Sequence, residues 1–268
     1  MLRYGFIAAG NIIRAMHRGA EKNKDYNPAE IGIYDVNEEV LKDYASRGYA
    51  TFHSMKELID NSEMLVLGVT PKVVGFVIDE LAANIRKDQV MLTVVTGVEQ
   101  SWYAEKIGEG YKIVICMPNM SSQVGEGAFA VSRSEACTDE DVKKVTSILS
   151  SCGLVEEIPD GKMAEILPFN GSAPGFFYHI ANLMKKEAAD LGLNPENAVR
   201  LFAETMKGSA EMILSSDISL EDLEKALRLP GGATVTALEK IESMGFDEMY
   251  HEFVKVSVEH CRELGNQK

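Results

Sequence analysis

The N-terminal residues follow the order strand, turn, helix, strand and acid, and this order constrains the fold more than any other feature. Residues 2–8 form a short apolar run, and residues 9–16 indicate a turn that enters a helix. A second apolar run, Ile31–Tyr34, is followed directly by Asp35. This layout is typical of a dinucleotide-binding βαβ unit, in which a carboxylate at the tip of the second strand accepts hydrogen bonds from the adenosine ribose.

The first 160 residues continue this alternation of short apolar runs and helical patterns. Strands are predicted at residues 2–8, 31–35, 64–69, 90–95 and 112–117, and helices at 11–22, 37–47, 72–84 and 101–107. Further strands or a hairpin are predicted at 127–131 and 154–158, with a helix at 138–150 between them. Thr138 and Asp141 give that helix a start similar to a capping box. We therefore predict an α/β, Rossmann-like domain with a parallel sheet over residues 1–160.

After residue 160 the strand patterns stop and helical periodicity dominates. Helices are predicted at residues 174–191, 195–215, 220–229, 233–244 and 246–264. These helices offer more apolar faces than a small bundle buries by itself. We predict that residues 161–268 form an all-helical domain for dimerisation and substrate binding, and a self-contained bundle is the alternative.

A proline, two glycines and a hydroxyl residue precede one of these helices, in the order Pro230, Gly231, Gly232, Ala233 and Thr234. Backbone N–H groups at a helix start bind a carboxylate without a cationic side chain, and glycines allow a ligand to approach closely. The Thr234 hydroxyl would stand at the mouth of such a pocket. The alternative is a glycine-rich turn that only precedes a helix.

Five short motifs together make the chain resemble the pyrroline-5-carboxylate reductase family. They are G-F-I-A-A-G-N at residues 5–11, G-V-T-P at 68–71, C-M-P-N at 116–119, N-G-S-A-P-G at 170–175 and P-G-G-A-T at 230–234. The resemblance implies NAD(P)H-dependent reduction of a cyclic imino acid, in the family 1-pyrroline-5-carboxylate to proline. It also implies that helices of two chains interlock as a homodimer or a higher oligomer.

The resemblance assigns roles to individual positions of this sequence. The expected cofactor-binding residues are Ala8, Gly10, Asn11, Ile12, Asp35, Val69, Thr70, Pro71 and Asn119. The expected substrate-binding residues are Gly231, Gly232, Ala233 and Asp217, and Thr234 is the expected catalytic residue. For Asp217 a loop or capping role is the alternative, and for Asn119 a plain turn. Because Asp35 has no arginine beside it at the strand tip to accept a 2′-phosphate, we expect NADH to be preferred to NADPH.

Several positions depart from the family pattern, and these departures keep other functions open. Ala8 replaces the first glycine of the dinucleotide-binding turn, and Ile13 replaces a small residue where the helix approaches the sheet. Leu229 replaces a serine before Pro-Gly-Gly. One alternative is reduction of a related imine, such as the six-membered analogue, and another is a non-catalytic metabolite-binding homologue. A β-hydroxyacid dehydrogenase is disfavoured because the long helix has no lysine until Lys185.

The composition excludes several classes of function. The net charge is −14, whereas proteins that bind nucleic acids or anionic membranes are normally basic. The 4 cysteines and 5 histidines have no spacing typical of a metal site, so no metal is expected. Unpaired cysteines are usual in the cytoplasm, where we expect the protein, and no apolar run reaches the roughly 18–20 residues that span a bilayer.

Overall fold

An eight-stranded sheet forms the centre of the computed structural model, which describes residues 1–266. The strands are β1 (Leu2–Ile7), β2 (Ile31–Tyr34), β3 (Ala50–Phe52), β4 (Ser62–Leu67), β5 (Val90–Thr93), β6 (Lys112–Met117), β7 (Gly127–Arg133) and β8 (Gly153–Glu157). They lie in the order β3-β2-β1-β4-β5-β6-β7-β8, and all pairs are parallel except β6 with β7. The predicted Rossmann-like sheet is confirmed.

Helices connect the strands and then continue to the C-terminus. They are α1 (Asn11–Ala20), α2 (Glu38–Ser46), α3 (Met55–Asp60), α4 (Pro71–Asn84), α5 (Gln100–Ile107), α6 (Asp139–Ser150), α7 (Met163–Ile166), α8 (Ala173–Asp190), α9 (Pro195–Ser215), α10 (Leu220–Leu227), α11 (Ala233–Glu242) and α12 (Phe246–Gly265). The helical region after the sheet agrees with the predicted fold class. No helix among the described residues combines the length and apolar composition needed to cross a membrane.

Two apolar layers cover the sheet, one on each face. One layer packs residues of α1, α2 and α6 against the strands, with Ile13, Tyr44 and Leu149 fully buried. The other packs residues of α3, α4 and α5, with Leu58 and Ile78 fully buried. Burial on both faces explains why most strands read as continuous apolar runs rather than as alternating patterns.

Local sequence signals begin several helices as predicted, and three short elements had no signal. Thr138 and Asp141 form a complete capping box at the start of α6. Pro71 stands at the first turn of α4, where its missing N–H group costs no hydrogen bond. The sequence patterns did not predict β3, α3 or α7, because these short elements do not show a period.

The chain divides into two compact units. Unit 1 comprises residues 1–174 together with the segment from Val256 onward, and unit 2 comprises residues 175–255. Within unit 1, the end of α12 packs on the loop after β5, since a side chain on Gly97 would lie 2.5 Å from the Cys261 carbonyl oxygen. This division differs from the predicted boundary at residue 160, which stays a prediction.

Unit 2 is helical and exposes most of its apolar side chains. Ala188 is the one buried residue between residues 175 and 255. An aromatic group of Phe176, Tyr250 and Phe253 joins α8 to α12, with the ring centroids of Phe176 and Phe253 4.9 Å apart. Exposed apolar residues of this unit include Leu191, Leu201, Leu214, Leu227 and Met244. A unit with so little buried area does not offset the entropy of folding by itself.

Candidate functional site

The turn between β1 and α1 is built to receive an anion. Gly10 caps α1 without a side-chain hydrogen bond, so the first-turn N–H groups at Asn11 and Ile12 have no acceptor within the helix. Ala8 has a φ of 69°, and among the described residues it is the one non-glycine residue with a positive φ. The backbone therefore makes the tight turn that a glycine would make more easily.

Asp35 is held at the tip of β2 beside this turn. Its Oδ2 atom accepts a hydrogen bond of 2.9 Å from the Ala9 N–H group, and Oδ1 accepts one of 2.9 Å from the Asn37 N–H group. The carboxylate is half-buried and partly open to solvent. Its position is therefore fixed by backbone groups of two loops, while lone pairs remain for further donors.

The loop after β4 lies against the same turn. Gly68 donates its N–H group to the Ile7 carbonyl oxygen at 2.9 Å, and a side chain on Gly68 would lie 2.5 Å from Ile13 Cγ1. Gly68 thus provides the space that the bulky Ile13 occupies at the helix–sheet contact. Val69 is half-buried, and Thr70 is exposed at the start of α4 without a side-chain cap.

These loops share one edge of the sheet, at the carboxyl ends of β1, β2 and β4. The strand order reverses between β1 and β4, because β2 lies on one side of β1 and β4 on the other. Ligands of open α/β sheets bind in the crevice at such a reversal. The structure therefore brings together eight of the nine expected cofactor residues, Ala8, Gly10, Asn11, Ile12, Asp35, Val69, Thr70 and Pro71.

Asn119 follows β6 and has structural partners for its carboxamide. Its Oδ1 atom accepts from the Ala128 N–H group at 3.2 Å, and Nδ2 donates to the Asn170 carbonyl oxygen at 3.3 Å. The Asn170 amide in turn donates to the Met117 carbonyl oxygen at 2.8 Å. Asn119 is buried and ties the loop after β6 to β7, and its contact with a cofactor stays a prediction.

In unit 2 the Pro-Gly-Gly segment ends at the start of α11, as predicted. Gly231 has a φ of 75°, and the Gly232 N–H group donates to the Leu229 carbonyl oxygen at 2.9 Å. The Gly232 amide is therefore used inside the turn, which leaves Gly231 and the first-turn amides of Ala233 and Thr234 for a carboxylate. The Thr234 side chain is exposed, and its hydroxyl makes no hydrogen bond within residues 1–266.

Arg228 holds this segment in place, a role that the sequence analysis missed. Its guanidinium pairs with Glu224 of α10 at 2.6 Å and also with Glu242 of α11. The two carboxylates raise the pKa of Arg228 above its usual value. A sequence signal existed, because Glu224 and Arg228 have the i, i+4 spacing of a helical ion pair. Asp217 is exposed between α9 and α10, and its predicted role stays a prediction.

The described residues contain no group of three or more His, Cys, Asp or Glu side chains that could hold a metal ion. The candidate residues instead offer backbone N–H groups, the carboxylates of Asp35 and Asp217 and the hydroxyls of Thr70 and Thr234. Such groups bind and orient anionic molecules and donate single hydrogen bonds.

Comparison with known proteins gives the family. Residues 161–264 match the family described as pyrroline-5-carboxylate reductase dimerisation, and residues 3–97 match that described as NADP oxidoreductase, coenzyme F420-dependent. A pyrroline-5-carboxylate reductase of Methanosarcina acetivorans is 28% identical over 266 residues, which are 99% of this chain and 98% of that protein. The chain belongs to the pyrroline-5-carboxylate reductase family. The resemblance inferred from the five motifs is confirmed.

Solved structures of pyrroline-5-carboxylate reductases have the same fold. The enzyme of Coxiella burnetii has a TM-score of 0.89 at 26% identity, and the match covers 98% of both chains. The Plasmodium falciparum pyrroline carboxylate reductase, solved with NADP bound, has a TM-score of 0.87 at 24% identity, again over 98% of both chains. Membership of this family replaces the β-hydroxyacid dehydrogenase alternative.

Proposed function

We propose that this chain is an NAD(P)H-dependent reductase that converts 1-pyrroline-5-carboxylate to proline. The observation that carries the proposal is the start of α11, where an exposed, unpaired Thr234 hydroxyl stands among helix-start amides directly after Pro-Gly-Gly. The family membership supports the same activity, since the similarity to the pyrroline-5-carboxylate reductase of Methanosarcina acetivorans extends over nearly the whole length of both chains.

The cofactor-binding residues fit a nicotinamide dinucleotide. The amides that begin α1 match a pyrophosphate, and the carboxylate of Asp35 matches the ribose hydroxyls. When bound, the dihydronicotinamide supplies a hydride to the imine carbon. The non-catalytic alternative rested on Ala8 and Ile13, and the structure accommodates both, through a left-handed backbone at Ala8 and the space over Gly68.

In unit 2, the backbone at the start of α11 would bind the substrate carboxylate. We assign this role to the amides of Gly231, Ala233 and Thr234, and we assign Gly232 to the turn itself because its N–H group is occupied. The Thr234 hydroxyl would hydrogen-bond the ring nitrogen, where charge changes during reduction. Asp217 would place an acid near the same nitrogen. The protein needs no nucleophile for this reaction, because its task is orientation, charge and exclusion of water.

We propose that the active protein is a homodimer built by the helices of unit 2. With Ala188 as the one buried residue between residues 175 and 255, the apolar side chains of α9, α10 and α11 need another surface to cover them. The family matched by residues 161–264 is described by its dimerisation. An obligate interface of this kind buries roughly 2,000 Å² or more.

Asp35 supports the use of NADH, because a carboxylate at this position accepts the free ribose hydroxyls and repels a 2′-phosphate. We also propose a cytoplasmic location, which the four buried free thiols support, since thiols stay reduced there.

The decisive experiment is an assay of the purified protein with NADH and with NADPH, each against pyrroline-5-carboxylate and its six-membered analogue. We expect oxidation of the cofactor with the five-membered imine and formation of proline. A preference for the six-membered ring would support the alternative substrate that the loss of a hydroxyl at Leu229 leaves open. No turnover with either imine, by protein that is folded and binds NADH, would refute the proposal.

A further inference from the structure

A cleft between α1 and α2 opens beside the tip of β2, outside the residues assigned above. It is lined by Arg14, Arg18, Asn37, Glu39, Val40, Asp43 and Arg47. Arg14 and Arg18 lie one helical turn apart on α1, so that both guanidinium groups face the same cleft. Asn37 belongs to the loop that also holds Asp35, because its N–H group donates to Asp35 Oδ1.

The charges of this cleft leave two arginines without carboxylate partners. Glu39 pairs with Lys42 at 2.8 Å, and Asp43 pairs with Arg47 at 3.1 Å. Arg47 pairs in addition with Glu21. Within residues 1–266, Arg14 and Arg18 make no ion pair. Their charge is therefore available to an anion, in a chain whose net charge is strongly negative.

Ala9 connects this cleft to the ribose-binding carboxylate. The N–H group of Ala9 donates to Asp35, and the carbonyl oxygen of Ala9 accepts a hydrogen bond of 3.0 Å from Arg14 Nε. The backbone of Ala9 thus holds both side chains, Asp35 through its N–H group and Arg14 through its carbonyl oxygen. Because Nε is used in this bond, the terminal nitrogens of Arg14 remain as donors for a phosphate.

We propose that Arg14 and Arg18 form the subsite for the 2′-phosphate of NADPH, so that the chain binds both NADH and NADPH. The subsite rests on the proposed function, because it requires the adenosine ribose to lie at Asp35. An arginine near the acidic residue is the usual means by which this fold accommodates a 2′-phosphate. The two guanidinium groups offset the repulsion that Asp35 alone would exert on the phosphate.

The test compares 5′-AMP with 2′,5′-ADP by titration calorimetry at low salt, because these nucleotides differ only in the 2′-phosphate. We expect the parent protein to bind both 5′-AMP and 2′,5′-ADP, and a parent protein that binds 5′-AMP but not 2′,5′-ADP would overturn the subsite. Arg18→Gln and Arg14→Gln should each weaken the binding of 2′,5′-ADP about tenfold, the usual effect of losing one charge-assisted hydrogen bond, and leave the binding of 5′-AMP nearly unchanged. Lys106→Gln, which removes one positive charge from α5 on the opposite face of the sheet, should change neither affinity.

The two variants separate binding of the phosphate from disturbance of the turn. Arg14→Gln also removes the bond to Ala9, whereas Arg18 is exposed and makes no hydrogen bond within residues 1–266. If Arg18→Gln leaves the ratio of the two affinities at its parent value, the subsite is wrong while the proposed function stands. If the parent protein binds neither 5′-AMP nor NADH, the proposed function itself fails.

Discussion

The side chain of Ile13 fills the space above Gly68, so that a bulky residue in α1 is matched by a glycine after β4. A methyl group on Gly68 would lie 2.5 Å from Ile13 Cγ1, and Ile13 is fully buried. The close approach of α1 to the sheet, for which the family pattern predicts a small residue in the helix, is reached here through a glycine in the loop after β4.

Gly68→Ala should therefore destabilise the protein by about 1–3 kcal/mol, the usual cost of an overpacked core. The double variant Ile13→Ala/Gly68→Ala should recover part of this loss, and urea denaturation of the four proteins of the cycle measures the coupling. Strictly additive effects would mean that the two residues are independent. The Ala8 carbonyl oxygen, 3.0 Å from the same methyl position, sets the part that is not recovered.

Ala8→Gly should stabilise the protein, because Ala8 adopts a left-handed backbone with a φ of 69°. Replacing the alanine by glycine removes backbone strain of about 1–2 kcal/mol from the folded protein. The greater conformational freedom of glycine in the unfolded chain lowers the free energy of unfolding by about 0.4–1 kcal/mol, so a net gain in stability remains. The matched control is Ala9→Gly, which removes a buried methyl group from a residue without a positive φ and should be destabilising. Equal losses of stability in both variants would contradict the strain at Ala8.

His17 should make the protein sensitive to acid. It is fully buried among aromatic rings, with Nδ1 3.1 Å from the Tyr44 hydroxyl, and Nε2 has no hydrogen-bond partner in the described chain. Burial, with a smaller contribution from the charge of Arg47, lowers the pKa of His17 from 6.5 to about 3. The unfolded chain therefore binds a proton that the folded chain does not, and the resulting stability is lost as the pH falls below 6.5 towards 3.

Urea denaturation at fixed protein concentration should show that the free energy of unfolding falls by up to about 1.4 kcal/mol per pH unit as the pH is lowered from 6.5 towards 3. His17→Gln should flatten the dependence on pH, whatever its effect on stability at pH 7.5. His251→Gln, which replaces an exposed histidine without a hydrogen bond or ion pair in residues 1–266, is the matched control. The same slope in His17→Gln as in the parent protein would rule out His17 as the titrating group.

Asp35→Asn should weaken the binding of NADH and strengthen the binding of NADPH. The carboxylate would lose its charge-assisted bonds to the ribose hydroxyls, which are worth about 1.5–3 kcal/mol each, and the repulsion of the 2′-phosphate would disappear. Fluorescence titration with both cofactors measures the two dissociation constants. If the dissociation constants of NADH and NADPH changed by the same factor in the same direction, Asp35 would not face the ribose. NADPH binding should also fall more steeply with salt than NADH binding, because it involves more charges.

Thr234→Ala should reduce kcat by about 10- to 1,000-fold, as expected for one preorganised donor at the reacting centre. The affinity for NADH should not change, because the hydroxyl is assigned to the substrate nitrogen. Thr234→Ser keeps the hydroxyl and should retain most activity, and Thr205→Ala is a control, since its hydroxyl bonds only within α9. If Thr234→Ala had the same kcat as the parent protein, the Pro-Gly-Gly segment would only begin a helix and would have no catalytic role.

Much of the first unit could be predicted from the sequence, because its signals are local. The strand, turn, helix and strand pattern of residues 2–35 indicated both the parallel sheet and the position of Asp35, and the structure places Asp35 beside the turn. Thr138 and Asp141 likewise predicted the start of α6. β3, α3 and α7 were missed because they are too short to show a recognisable period. In unit 2 the start of α11 was predicted, but the use of the Gly232 amide inside the turn was not.

The sequence by itself determined the fold class, the family and the order of the site motifs, since each depends on residues close together in the chain. Only the tertiary structure decided how the departures are accommodated and which charges meet. Ile13 is tolerated because Gly68, distant in sequence, leaves it space. Arg14 lies near Asp35 because Ala9 bonds to both side chains, and Arg18 lines the same cleft as Arg14. Such contacts follow from packing across the sheet, which no local pattern of residues records.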